Sequence, residues 1–291
     1  MKISVILSIY NAESYIEGYF QNALNQVGIQ NVEFSIIHNN PSSIERKIVQ
    51  KYSEKLNIVY KEVNLESLYE SWNRAILQSS GKYLACWNID DLRDNDSLER
   101  MARTLDKNKD VGFTYGDFVI VNKFNKTVGK NISTPEFTKH LGTTGAIGGP
   151  FFMWRRNLLK DIGYFDEQFK SGGDFDYTVR LSIFSTGKKT KGIIGYFLNT
   201  SNGISTKNKP LQVIERTAIE LRYAIWYKID VNYIGRALNY SINTITSNDS
   251  NRGIDNAIVS LTNNRKIWVL LIFYGYIKSG AISIVKKLIR R

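Results

Sequence analysis

Lys82-Tyr83-Leu84-Ala85-Cys86-Trp87-Asn88-Ile89-Asp90-Asp91 is the stretch on which the reading of this chain turns. Tyr83 to Trp87 is a short apolar, aromatic-rich run preceded by Gly81. That length and composition suit a strand buried on both faces of a parallel sheet better than a helix. The run stops at Asn88-Ile89-Asp90-Asp91, which places an amide and two adjacent carboxylates at the carboxyl end of a buried strand, the end at which open α/β sheets bind ligands. Adjacent carboxylates repel each other. A hard divalent cation such as Mg²⁺ or Mn²⁺ is a natural partner for them, being commonly held by one or two carboxylates plus substrate phosphates. The plainer alternative is a solvated loop leading into a helix capped by Asp94, Asn95 or Asp96. The surrounding pattern decides between the two.

Upstream, strand and helix alternate. Ile3 to Ile9 is a β-branched apolar run ending in Tyr10-Asn11, and apolar positions from Tyr15 to Val27 at helical spacing predict a helix closed by Gly28. Val32 to Ile37 reads as a second strand, ended by His38-Asn39-Asn40-Pro41, and Ser42 or Ser43 caps a helix to about Lys55. Ile58 to Tyr60 is a third strand and Leu65 to Gln78 an amphipathic helix. Such alternation implies a parallel sheet with helices on both faces. The first strand is not followed by Gly-x-Gly-x-x-Gly, and the phosphate-binding Gly-x-x-x-x-Gly-Lys-Ser/Thr pattern is missing. A nucleotide bound by this half is held by another scheme.

Downstream the pattern changes. A helix of about Asp96 to Leu105 leads to Val111–Tyr115 and Phe118–Asn122, two short alternating strands expected to pair as a hairpin, and 131–142 reads as an aperiodic, mobile loop. Asp174 and Asp176 fall at the start of a helix expected over Tyr177 to Phe184. There a carboxylate either opposes the helix dipole, an effect of about 0.3–1 kcal/mol, or serves as a general base. Gly172-Gly173 just before it permits close approach of backbone or substrate. Ile193 to Leu198 is another strand, and the chain looks helical from Leu211 to its end.

The 291 residues, 43% hydrophobic and 23% charged, form one large or two modest globular domains. A single cysteine, Cys86, excludes an internal disulfide, and His38 and His140 lack zinc-ligand spacing. The apolar run at the amino terminus is too short for a signal peptide, so the expected location is cytoplasmic. Residues 207–291 hold 14 Lys and Arg against 5 Asp and Glu, +9 of the net +12, and point to an anionic partner. Ile267 to Ile277 carries no charge and is followed by Lys278, Lys286, Lys287, Arg290 and Arg291. Eleven residues are too few to span a bilayer, which takes about 20. Residues 264–291 are expected either to lie in the inner membrane interface or to pack on the core or on a second copy in a homodimer. No nucleic-acid recognition motif accompanies the charge.

In order, Tyr10-Asn11, His38-Asn39-Asn40, Trp72-Asn73-Arg74-Ala75, Gly81-Lys82-Tyr83, Asn88-Ile89-Asp90-Asp91, Arg155-Arg156 with Gly163-Tyr164-Phe165-Asp166-Glu167, and Asp174-Phe175-Asp176 with Arg180 resemble the GT-A glycosyltransferases of family 2. The resemblance covers residues 1 to about 206. It implies an α/β, Rossmann-like fold with a mixed, mostly parallel sheet flanked by helices. Residues 1–91 would bind the nucleotide-sugar and 92–206 the acceptor, and 207–291 would form a helical extension. The implied reaction is an inverting, metal-dependent sugar transfer to a saccharide or lipid-linked saccharide during synthesis of a bacterial surface polysaccharide such as lipopolysaccharide or capsule.

Carried over residue by residue, Asp90 matches the metal-binding aspartate of the Asp-x-Asp motif, with Mn²⁺ or Mg²⁺ as cofactor, and Asp91 matches the carboxylate beside it. Asn88 stands at the motif's first aspartate, which touches the donor ribose or sugar. Tyr10, Asn11, His38 and Asn39 match the base pocket, and Asn73 joins them on the donor side. Asp174 matches the base that deprotonates the acceptor, while Gly149, Gly173, Asp176 and Arg180 are acceptor-side candidates. The chain departs from the family pattern at three places. His38-Asn39-Asn40 replaces a base-reading aspartate, which leaves the base open although a UDP-sugar is favoured. Gly173 replaces a glutamate, and residues 199–203 lack a metal-binding histidine. The competing readings are a nucleotidyltransferase, whose glycine- and arginine-rich loop is missing from Ser8-Ile9-Tyr10-Asn11-Ala12-Glu13, and a catalytically silent nucleotide-sugar binder, of which Asn88 and Gly173 would be the first signs.

Overall fold

In the computed structural model, residues 2–143, 147, 149–200, 212, 215, 216, 219 and 223 are described, with backbone only at 140 and 143. The strands are β1 (Ile3–Ile9), β2 (Val32–Asn39), β3 (Asn57–Val63), β4 (Tyr83–Cys86), β5 (Leu92–Arg93), β6 (Val111–Val121), β7 (Lys130–Ile132), β8 (Phe152–Arg155) and β9 (Thr186–Leu198). The helices are α1 (Ile16–Leu24), α2 (Ser43–Ser53), α3 (Leu68–Gln78), α4 (Ser97–Lys107), α5 (Lys139–Thr143), α6 (Leu159–Ile162) and α7 (Gly173–Phe184). The strands form one mixed sheet in the order β3-β2-β1-β4-β8-β6-β9-β5, with β7 added to β6.

The first half follows from its apolar pattern. β1 is almost wholly buried and pairs in parallel with β2 on one side and β4 on the other, Ile3 facing Val32 and Tyr83. Ser42 and Ser67 cap α2 and α3, each forming a reciprocal box with the glutamate three residues on, Glu45 and Glu70. Then the direction reverses twice. β8 runs antiparallel to β4, β6 antiparallel to β8, and β9 parallel to β6. The carboxyl ends of β1, β2, β4, β6 and β9 therefore share one edge of the sheet.

The structure corrects three expectations. Residues 111–121 form one continuous strand rather than a hairpin. The apparent break at Gly116 is a place where β9 comes close: a Cβ there would lie 2.9 Å from both Ile194 Cγ2 and the Thr190 carbonyl oxygen. The register with β9 shifts on either side of Asp117, as at a bulge. The aperiodic stretch 131–142 contains the end of β7 and most of α5. β9 also begins earlier than its apolar run, because Thr114 Oγ1 donates to the Lys188 carbonyl (2.6 Å) and Lys189 pairs with Asp117 at 2.7 Å, tying the polar first half to β6.

Two compact units divide the chain. The first, Met1–Glu167 with Tyr177–Ser201, contains the whole sheet, so the expected donor and acceptor halves share one core. The second groups Gln168–Asp176 with Asn202–Arg291, whereas a boundary near residue 206 was expected. Within it the buried Glu215 carboxylate accepts the backbone N–H groups of Lys170, Ser171 and Gly172 at 2.7–2.8 Å. The described residues beyond 200 are helical, and the expectations placed on 264–291 lie outside the described residues. No helix among the described residues is long and apolar enough to cross a membrane.

Candidate active site

The turn after β4 is built from the inside. Trp87 is fully buried, and its indole N–H donates to the Asp91 carbonyl at 3.0 Å. Asp91 N–H returns to the Asn88 carbonyl, closing the turn. The Asp91 side chain is only 1% exposed: Oδ1 accepts Leu198 N–H at 2.9 Å and Oδ2 accepts the Asn88 amide at 3.3 Å. Asp91, expected as a metal ligand, is thus an interior clamp between the β4 turn and the end of β9. Asp90 and Asn88 remain half-buried at the surface of the same turn.

The electrostatics of this turn are those of an under-neutralised anion. Burial pushes the Asp90 carboxyl up, and burial followed by the charge of Asp90 pushes Asp91 well up. The Arg93 guanidinium opposes this at Asp91 from a buried position between the rings of Trp87 (5.6 Å) and Phe151 (5.2 Å), where it donates to the Cys86 carbonyl at 2.9 Å. Burial brings Arg93 itself down to about 10. Among the described residues no group of three or more His, Cys, Asp or Glu is arranged to hold a metal ion. The turn instead offers the Asp90 carboxylate, a hard oxygen donor. That fits Mg²⁺ or Mn²⁺ when substrate phosphates complete the shell, and does not amount to a cage made by protein alone.

On the donor side the structure sorts the expected residues into two groups. Tyr10 (45% exposed) and Asn11, which has a left-handed φ of 49°, lie at the surface where β1 ends. His38 and Asn39 are interior at 0% and 2% exposure. His38 sits between Tyr60 Oη (2.8 Å) and Glu45 Oε2 (3.3 Å), and burial holds its pKa below the ordinary histidine range. The Asn39 amide donates to the Ser8 and Ser71 hydroxyls and accepts Glu66 N–H. With these polar groups engaged, His38 and Asn39 are interior supports of the end of β2. Asn73 is likewise buried: its amide donates to the Phe165 carbonyl and Glu167, accepts Phe165 N–H, and so fixes the 163–167 segment.

Glu45 organises this corner. Its Oε1 accepts Ala12 N–H at 2.6 Å, directly after Tyr10-Asn11, while Oε2 accepts Ser42 N–H at 2.9 Å in the capping box. Burial pushes the Glu45 carboxyl up, but the two N–H donors and His38 outweigh it and leave the group below its usual range. Sequence reading missed Glu45 as a functional support, although Ser-x-x-Glu ahead of an apolar face signals a capping box. Arg93 and Glu215 carry no comparable local signal.

The acceptor-side candidates divide as well. Asp174 is half-buried in the first turn of α7, its Oδ1 accepting Phe175 N–H at 2.8 Å, and Gly173 opens the helix as a buried residue. Asp176 is fully buried and accepts the Tyr223 hydroxyl at 2.8 Å, an interior role rather than a substrate-facing one. Arg180 donates to the Ile162 carbonyl that ends α6 and lies 5.0 Å over the Tyr177 ring. Gly149 has φ 59°, and a Cβ there would stand 2.7 Å from Phe118.

Comparison with known proteins adds to this geometry. Residues 4–163 match a family model described as glycosyl transferase family 2. The chain is 28% identical over 177 residues to poly-beta-1,6-N-acetyl-D-glucosamine synthase of Staphylococcus epidermidis, covering 56% of this chain and 42% of the relative. It is 27% identical over 195 residues to the poly(ribitol-phosphate) beta-N-acetylglucosaminyltransferase TarS of Staphylococcus aureus, covering 63% and 33%. The chain thus spans less than half the length of these two relatives. The fold superposes on TarS residues 1–349 in complex with UDP-GlcNAc with a TM-score of 0.69 and 19% identity, covering 96% of this chain and 88% of that one. A mannosyltransferase from Pyrobaculum calidifontis, solved with GDP-Man and Mn²⁺, superposes with a TM-score of 0.61 and 14% identity over 96% and 86%.

Proposed function

This chain belongs to glycosyl transferase family 2, and from that premise we propose that it transfers a sugar from a nucleotide-sugar, with UDP-sugars favoured, to a saccharide acceptor, inverting the anomeric centre. The observation that carries this reading is the sheet edge where surface-lying Tyr10 and Asn11 end β1 and half-buried Asn88 and Asp90 follow β4. Relatives named for poly-N-acetylglucosamine synthesis and for poly(ribitol-phosphate) modification support a role in building a cell-surface polymer.

In this reading Tyr10 and Asn11 receive the base, on a loop fixed by Glu45. Asn88 hydrogen-bonds the donor's ribose or sugar hydroxyls. Asp90 would hold Mn²⁺ or Mg²⁺, which would supply positive charge against the leaving diphosphate. The acceptor hydroxyl oxygen forms a bond to the anomeric carbon as the bond to the diphosphate oxygen breaks. Its proton passes to the Asp174 carboxylate. One displacement gives inversion, and no carboxylate nucleophile takes part. A lipid-linked acceptor at the inner membrane face, reached through 264–291, belongs to the same proposal.

Incubating the enzyme with UDP-GlcNAc and an oligosaccharide acceptor tests this. We expect a β-linked product by proton NMR. Asp174→Asn should lower kcat by about 10²–10⁴-fold, the usual contribution of a positioned base, with donor affinity intact. An α-linked product, or near-normal turnover in Asp174→Asn, would refute it.

A further inference from the structure

The loop between β6 and β7, residues 122–129, has no place in the reaction described above. It leaves the sheet on the edge that carries the β1 and β4 turns. Its base is tied to that site: Asn199 N–H donates to the Val121 carbonyl at 2.9 Å, and the neighbouring Leu198 N–H donates to Asp91. Its middle is pinned beside the donor loop. The Phe124 ring meets Tyr15 edge-on at 5.1 Å, and it packs on Gly18, where a Cβ would approach Phe124 to 2.6 Å. A turn closed by Lys126 N–H to the Lys123 carbonyl, with Asn125 in the left-handed region (φ 62°), fixes its form.

The loop exposes Lys123 and Lys126, and exposed Lys130 follows it as the first residue of β7. From 118 to 135 the sequence contains no acidic residue, and none of the three lysines forms an ion pair among the described residues. Three cations with no ion-pair partner among the described residues, beside a reaction site, are arranged for a polyanion. Bases are poor candidates for its occupant, since the loop's one ring, Phe124, is engaged with Tyr15 and no stacking platform remains. A membrane is also disfavoured, because Val128 is the loop's only exposed large apolar side chain.

We propose that residues 122–130 form a cationic guide for an anionic acceptor chain, one with repeating phosphodiester or carboxylate groups, which they hold at the margin of the transfer site. This rests on the transferase reading.

The test uses the full chain and a Lys123→Ser/Lys126→Ser/Lys130→Ser variant. The probes are poly(ribitol phosphate), polygalacturonate, neutral dextran and vesicles containing anionic lipid. Wild type should bind one of the two anionic polymers and not dextran. The variant should lose at least about tenfold in that affinity, and the difference should shrink as salt rises. UDP affinity should be equal in both proteins. The polymer that binds identifies phosphate or carboxylate as the recognised group. Equal polymer binding by the two proteins, no polymer binding at all, or a loss confined to the vesicles would overturn the proposal. Failure of wild type to bind any nucleotide would count against the transferase reading, while the polymer titration judges the loop separately.

Discussion

Asp90 and Asp91 are neighbours with different surroundings, and the residue scale is where the site is decided. Asp91 holds Leu198 N–H and the Asn88 amide inside the protein, whereas Asp90 stays half-buried at the surface. Asp91→Ala should cost about 1–3 kcal/mol of stability, because the buried Leu198 N–H and the half-buried Asn88 amide lose their acceptor. Asp90→Ala should stay within about 0.5 kcal/mol of wild type. Urea melts of the two variants check this, and equal midpoints would contradict the division of roles. The sequence places both carboxylates at a strand end and cannot separate them, since the partner that claims Asp91 lies 107 residues away on β9. Near His38 and Asn39 only a strand end was legible: both read as the turn, and they are the last two residues of β2. Their burial depends on Tyr60, Ser71 and Glu45 from three other elements, so it was not legible.

At the scale of elements, the two capping boxes make a controlled comparison. Ser67 and Glu70 begin α3, whereas Glu45 begins α2 and also holds Ala12 N–H in the donor loop. Ser67→Ala should cost about 1 kcal/mol, the usual value of a cap, and leave substrate constants alone. Glu45→Ala should cost about 2–3 kcal/mol, since a buried charged acceptor of several hydrogen bonds is lost. It should also raise KM for the donor more than it changes kcat. Steady-state kinetics beside thermal melts would show this, and an unchanged donor KM in Glu45→Ala would remove the loop-positioning role. The elements most legible in sequence were the apolar parallel strands and the periodic helices around them. Those misread were β6, where Gly116 marks close packing rather than a turn, and the polar first half of β9, whose hydrogen bonds to β6 leave no trace in hydropathy.

At the scale of the whole molecule, two reversals of strand direction bring the β6 and β9 ends to the edge where β1 and β4 end. That edge gathers the donor loop, the Asp90 turn and the cationic loop from segments spread over more than 100 residues. Alternation over the first 90 residues made the parallel half predictable, while the antiparallel β8 crossing depends on pairing that no periodicity encodes. In the proposed reaction Asp90 links a divalent cation to a nucleotide diphosphate on this edge. The most direct test is calorimetric titration of UDP, GDP, dTDP and CDP into wild type and Asp90→Ala, each with Mn²⁺ and with EDTA. One nucleotide should bind wild type in Mn²⁺, and this binding should be lost both in EDTA and in Asp90→Ala. Binding that is equally strong in EDTA and unchanged in Asp90→Ala would contradict it.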